Sequence, residues 1–259
     1  MRHSPLLALL LAFALGCGGS KGPNRESPRI LRIAYEREID LLNPFTSQNL
    51  ADISYTMIEG LITTDENNRY VPVLATTIPT KANQLVTVQA DGRVKTTWPL
   101  RSGVLWHDGA PFTSKDVCFT WRFVTDPKSE TYNREQYLNI LSCEAPDDTT
   151  AVFTWSGEYA YYDGLFEAIL PEHILGSMTA EQIVQFEPYN RGSKTIGTGP
   201  FRFAEWKSGE YIRVVRNERY WRGDSVPAID EIVWAFIPDA NTRLNAMKSG
   251  QYHFGRILP

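Results

Sequence analysis

The chain has 259 residues, of which 42% are hydrophobic and 22% charged, with a formal net charge of -4. That length supports one large domain or two modest ones around a substantial core, and the composition is that of an ordinary globular protein. A mildly acidic balance, with sequence pI near 5.7, removes the electrostatic case for nucleic acid. Any membrane contact then has to come from an anchor.

The N-terminus supplies a candidate. Met1-Arg2-His3 is a short basic start, Leu6 to Leu15 is entirely apolar, and Gly16, Cys17, Gly18 and Gly19 follow at once. An apolar run of about ten residues is too short to cross ~30 Å of hydrocarbon as a helix. It reads as a signal peptide over residues 1–17. Ala14-Leu15-Gly16-Cys17 resembles the lipobox of bacterial lipoproteins, with Cys17 as the lipidated residue and Ala14 where Leu is usual. An ordinary secretory signal with a chance cysteine is the alternative. Residues 18–29 are Gly, Ser, Pro and charge without apolar period, a flexible tether.

Export leaves Cys118 and Cys143 in an oxidising compartment, where an even pair commonly forms a disulfide. Closing such a loop stabilises by ~3 kcal/mol in the chain-entropy model; two buried free thiols are the alternative. Neither cysteine stands at a spacing that marks a nucleophile or a zinc ligand.

Arg29 to Tyr35 alternates with period 2 and predicts an opening strand. Ile53, Met57, Ile58 and Leu61 have helical spacing, which predicts a helix over Ala51–Leu61. Pro72 to Ala75 reads as irregular. Gln84–Gln89 and Val94–Leu100 flank Asp91-Gly92, a hairpin signal. His107-Asp108-Gly109 is a tight turn with Trp106 packing beneath it. Thr113 caps a helix with Asp116 three residues on, burying Val117, Trp121 and Val124 and stopping at Asp126-Pro127. Thr150–Trp155 is a further strand. Phe201–Lys207 and Tyr211–Arg216 form a second hairpin about Ser208-Gly209, Ile229–Ile237 is a strand, and Asp239 caps a helix to Ser249 with Gly250 beyond it.

The tempting chemical residues are weak as a set. A single His107 beside Asp108 is more often a structural hydrogen-bonder than a metal ligand, and His173 and His253 show no ligand spacing with it. Gly197-Thr198-Gly199-Pro200 lacks the Lys and helix of a phosphate loop and reads as a crossing between subdomains. Asp147-Asp148 reads as a solvated turn. No catalytic constellation, cofactor motif or metal set is recognisable.

Several stretches nevertheless stand in an order that carries a resemblance: Leu42-Asn43-Pro44, Glu59-Gly60-Leu61, Pro72-Val73-Leu74-Ala75, Leu100 to Thr120 around Trp106-His107-Asp108-Gly109, Asp126-Pro127, Leu170 to Leu175, Gly197 to Phe201, and Arg216 to Trp221. Over about residues 30–254 the chain resembles bacterial family 5 solute-binding proteins, the oligopeptide, dipeptide and nickel receptors of ATP-driven (ABC) importers. The resemblance implies no enzymatic activity and an α/β, periplasmic binding protein-like fold of class II type. It implies a first lobe in which residues 30–64 and 176–259 make a mixed-sheet subdomain and 65–175 a β-rich insertion. It implies a peptide or other small solute as ligand, ABC permease and ATPase subunits as partners, and a periplasmic or cell-surface location with a lipid anchor. It places ligand contacts at Phe45, Thr46, Ser47, Gln48 and Asn49. Tyr132 and Tyr137 are candidates to stack on ligand, with core packing as the alternative. Relatives continue into a second lobe, so the expectation is a truncated or split receptor; an envelope lipoprotein using the lobe as an interaction module is the competing expectation. His253 stands where relatives carry an acidic residue.

Overall fold

The computed structural model describes residues 28–49, 52–223 and 227–255. The signal segment, Cys17 and most of the tether lie outside the described residues. The chain opens with β1 (Ile30–Tyr35), followed by a single helical turn, α1 (Asp52–Tyr55), and the short hairpin β2 (Ile62–Thr64) and β3 (Tyr70–Pro72).

The helix expected over Ala51–Leu61 is therefore mostly absent, and the reason is tertiary. The Thr56 and Met57 carbonyls accept from Phe201 N (3.1 Å) and Gly199 N (2.9 Å), and the Glu59 carbonyl accepts from Ile169 N at 3.0 Å. Leu61 N, which a helix would direct to Met57, donates instead to the Phe166 carbonyl at 2.8 Å. Backbone groups engaged across the fold cannot also close helical bonds. The β2–β3 hairpin is an unexpected element; its turn is set by the Asp65 carboxylate, which accepts from Asn67 N and Arg69 N, each at 2.9 Å, and by Asn68 at φ 57.

Next come β4 (Val86–Val88) and β5 (Val94–Pro99), antiparallel about Asp91-Gly92 with Gly92 at φ 84. The first of these strands starts later than its sequence pattern because Gln84 takes φ 62. Helix α2 (Ser114–Thr125) begins in a reciprocal capping box: Thr113 Oγ1 accepts from Lys115 N at 3.3 Å, and the Asp116 carboxylate accepts from Thr113 N at 2.8 Å. Val117, Phe123 and Val124 are buried along it, with Trp121 at the margin of the core. The one-turn α3 (Arg134–Tyr137) leads to β6 (Ile140–Asp147) and β7 (Thr150–Trp155), and the sheet order is β4-β5-β7-β6, antiparallel throughout. Cys118 and Cys143 are joined as a disulfide with their Cα atoms 5.3 Å apart, tying α2 to β6.

Three short helices follow, α4 (Glu172–Leu175), α5 (Ala180–Val184) and α6 (Glu187–Asn190). The chain then forms β8 (Phe201–Lys207), β9 (Tyr211–Arg216), β10 (Glu231–Phe236), α7 (Ala240–Lys248) and β11 (Phe254–Gly255). Gly209 at φ 74 turns β8 into β9, and Asp239 caps α7 by accepting from Thr242 N at 2.7 Å. The second large sheet runs β11-β1-β10-β9-β8, with β1 parallel to both its neighbours and the rest antiparallel. It is a mixed sheet, and α7 carries the chain past β1 to reach β11. One continuous apolar core runs from Ile39 to Phe236, with Trp98, Trp106, Trp155 and Trp234 all fully buried. Among the described residues no helix is long and apolar enough to cross a membrane.

Candidate functional site

The centre of the site is a crossing where three distant stretches touch through their backbones. Gly197 and Gly199 lie directly on Met57 and Ile58, so that a Cβ at Gly197 would fall on the Met57 carbonyl and one at Gly199 would come within 2.7 Å of it. Glycine is required here by close approach. His107 locks this loop in place. Its Nδ1 accepts from Gly197 N at 3.1 Å and its Nε2 faces the Gly199 carbonyl at 3.0 Å, which fixes the neutral tautomer with the proton on Nε2. Burial pushes the imidazole pKa down to about 4, because the charged ring would have to lose its hydration. A charged ring would also place a proton on the nitrogen that now accepts.

Glu59 sits beside this crossing and was singled out by sequence only as part of a motif. Its carboxylate accepts from Tyr220 Oη (2.6 Å), Trp221 Nε1 (2.8 Å) and Thr198 Oγ1 (2.9 Å). Desolvation raises its pKa above the ordinary carboxylate value despite these three donors, which pull the other way together with the nearby Arg222 charge. Three motifs spread over as many as 162 positions of chain thus meet at one carboxylate (from Glu59 through Thr198 to Tyr220 and Trp221).

In front of Glu59 opens a cleft of about 420 Å³, whose wall includes Tyr55, Ile62, Val73, Pro200 and Arg222. A smaller basin of about 250 Å³ adjoins it, lined among others by Pro44, Phe45, Tyr132 and Gln136. Tyr55 and Glu167 border both, so the two are parts of one trough. Main-chain bonds beside Glu59 and Glu167 brace it. Leu61 N pairs with the Phe166 carbonyl, Ile169 N with the Glu59 carbonyl, and Gly60 is pressed so closely on the Phe166–Glu167 peptide that no side chain fits there.

The residues expected from sequence fall at different depths. Phe45, Thr46 and Ser47 are buried, while Gln48 is exposed. Their loop is held by Asp40, which accepts from Ser47 Oγ at 2.6 Å and Gln48 N at 2.8 Å; those bonds keep its carboxyl below the usual range against the opposing effect of burial. Phe45 reaches the small basin, whereas Thr46, Ser47, Gln48 and Asn49 are not among its lining. Tyr137 is only 2% exposed, packs edge-to-face on Phe45 and Phe166, and accepts from Phe166 N at 3.2 Å. It forms the basin's floor and has core surroundings. Tyr132 is 82% exposed at the rim, free to meet a ligand. The structure brings together Phe45, Tyr132 and Tyr137, and adds Tyr55, Glu59 and Glu167, for which periodicity and spacing gave no signal.

The remaining polar motifs serve the frame. Asp108 and His173 pair at 2.9 Å at the surface, and Asp116 accepts from Glu172 N at 2.9 Å, tying the Trp106 turn and α2 to α4. His253 Nδ1 accepts from Arg32 N at 3.0 Å at the sheet edge. Among the described residues no three His, Cys, Asp or Glu side chains gather as a metal site.

This architecture is that of the periplasmic binding proteins. The Bacillus subtilis oligopeptide-binding protein AppA, solved in complex with a nonapeptide, superposes with a TM-score of 0.75 at 27% identity, over 87% of this chain and 44% of that one. Campylobacter jejuni NikZ, solved with Ni(L-His), gives 0.73 at 27% identity, over 86% and 42%. In sequence, AppA is 31% identical over 97% of this chain and 47% of its own length, and Streptomyces lividans protein XP55 is 31% identical over 97% and 44%. Residues 69–259 match the family described as bacterial extracellular solute-binding proteins, family 5 Middle. The chain belongs to the bacterial extracellular solute-binding proteins, family 5. It spans less than half the length of the curated relatives it matches.

Proposed function

We propose that the chain is the wall of a solute receptor that captures peptides, or another small solute, and hands them to the permease and ATPase subunits of an ABC importer. The observation that carries this reading is the trough in front of Glu59, with the exposed Tyr55 and Tyr132 along it. Exposed Tyr55 and Tyr132 faces beside the Glu167 carboxylate suit a peptide, which offers both apolar and polar groups to such a wall. Family members are extracellular, and AppA is solved with a nonapeptide in place. Glu59 positions the wall by collecting Thr198, Tyr220 and Trp221, and the His107 clamp holds the loop behind it.

The reading extends to an anchor at Cys17 that tethers the receptor to the membrane through residues 18–29, and to a division of the lobe into 30–64 with 176–259 and an insertion over 65–175. Phe45, Tyr132 and Tyr55 are proposed as ligand contacts, with Gln48 and Asn49 at the periphery.

Native mass spectrometry of the purified protein with a mixture of short peptides tests the receptor role. Discrete adducts of peptide mass are expected; a spectrum without adducts at high micromolar peptide refutes it. The anchor is tested separately by the mass of the mature N-terminal fragment, and an unmodified Cys17 in a freely soluble product refutes that part.

A further inference from the structure

Glu167 is placed in the trough by an uncommon backbone. The residue before it, Phe166, takes φ 62, a left-handed conformation rarely adopted by a bulky residue. Phe166 is itself buried and stacked on Phe153 with ring centroids 4.7 Å apart, and its carbonyl is held by Leu61 N. The packing thus overrides a costly backbone state and turns the next residue outward, the pattern seen where strain serves a site.

What it turns outward is a carboxylate without a protein partner. Among the described residues no hydrogen-bond donor and no basic side chain lies within bonding distance of Glu167. Burial raises the pKa values of the Tyr55 and Tyr137 hydroxyls, and the nearby Glu167 charge adds to that rise. No Lys or Arg lines the smaller basin. Arg222 belongs to the larger cleft, lies over the Trp221 ring at 4.8 Å and offsets Glu59. The basin therefore presents one negative charge beside the two solvent-reachable tyrosines Tyr55 and Tyr132, a combination that favours a cation over neutral or anionic groups.

We propose that Glu167 is a specificity-determining residue that selects a cationic group of the captured solute, an ammonium or guanidinium, in the basin lined by Tyr55 and Tyr132. The inference rests on the receptor reading and names the ligand chemistry of its trough. In a peptide the cation is either the N-terminal amine or a basic side chain.

The test is titration calorimetry of the wild-type protein and Glu167→Gln with alanine pentapeptides whose central residue is lysine, norleucine or glutamate, each with a free or acetylated N-terminus. The wild type is expected to favour a cation-bearing peptide by about tenfold or more, the strength of a charge-assisted hydrogen bond. Dependence on central lysine assigns the basin to a side chain, and dependence on the free amine assigns it to the N-terminus. In Glu167→Gln the preference should fall below about twofold, with the acetylated norleucine peptide bound as before. A cation preference that survives the substitution overturns the proposal, as does binding without charge preference, and both leave the receptor reading intact. Equal loss of every peptide in the variant overturns it in favour of a structural role. If no peptide binds the wild type, the peptide reading fails and this inference with it.

Discussion

Substituting His107 by Asn separates the clamp's hydrogen bonds from its titration. In the folded protein burial holds the imidazole near pKa 4, against an ordinary value of 6.5. At about 1.4 kcal/mol per tenfold change in protonation ratio, that gap favours the neutral ring by about 3 kcal/mol. Because the folded value lies below the unfolded one, this contribution is complete above about pH 6.5. It is lost progressively as pH falls and gone below about pH 4, where both states carry the proton. Asn offers an acceptor for Gly197 N–H but nothing that titrates. The assay is urea unfolding of both proteins at steps from pH 7.5 to 4. Glu59, Asp116 and Asp108 titrate in both, so they cancel in the difference between the two curves. The wild-type advantage at pH 7.5 should shrink by about 3 kcal/mol across that interval, with half of the change complete at about pH 5.4. A difference that stays constant over the range would refute the assignment of a neutral, doubly bonded His107.

Replacing Glu59 by Ala leaves the Tyr220, Trp221 and Thr198 donors without their acceptor and should cost about 2–4 kcal/mol in urea unfolding, with Gln at about half that. Solute affinity should fall in both variants, and unchanged stability in Glu59→Ala would remove its organising role. Gly197→Ala puts a methyl on the Met57 carbonyl, backbone against backbone, and should destabilise by more than about 3 kcal/mol, read as a lost or shifted thermal transition. The Cys118–Cys143 bond closes a sequence separation of 25 residues, so its removal in the double alanine variant should cost about 3.5 kcal/mol in the chain-entropy model. A melting temperature insensitive to reductant would contradict that figure.

Elements whose signals are local were legible in the sequence. The capping box at Thr113 and Asp116, the Asp91-Gly92 and Ser208-Gly209 turns, and the Asp239 cap each act within a few residues, and each stands where its pattern placed it. Elements decided by partners were not. Apolar spacing over Ala51–Leu61 predicts a helix, yet the carbonyls of Thr56, Met57 and Glu59 are engaged by Phe201, Gly199 and Ile169. The β2–β3 turn left a readable trace in Asn67-Asn68, since Asn tolerates the positive φ found there. Strand β6 left almost none: its buried and exposed residues do not alternate, and it contains Pro146. In the site, the loop after Asn43-Pro44 was placed by family resemblance, and only Phe45 of it reaches the basin. Glu167 carries no local signature at all, because its position is set by the stacking of Phe166 on Phe153.

The motifs that carry the family resemblance are conspicuous for a reason the fold makes physical. Read along the chain, Glu59-Gly60, Trp106-His107-Asp108-Gly109, Gly197-Thr198-Gly199-Pro200 and Tyr220-Trp221 have nothing in common. In space they share one crossing: Gly197 and Gly199 admit the Met57 backbone, His107 fixes both glycines, Thr198 reaches Glu59 from between them, and Tyr220 and Trp221 close on the same carboxylate. Each of these residues is constrained by an atom from a different stretch, so a change in one leaves a buried group of another unpaired or overlapped. The trough's rim is under no such mutual constraint. Tyr132 and Glu167 face solvent, and neither is needed to satisfy the other. Under the proposed receptor role, solute choice can therefore vary at the rim while the crossing behind it keeps the wall in shape, and substitutions at Glu167 and Tyr132, rather than at Glu59, are expected to change ligand preference without loss of fold.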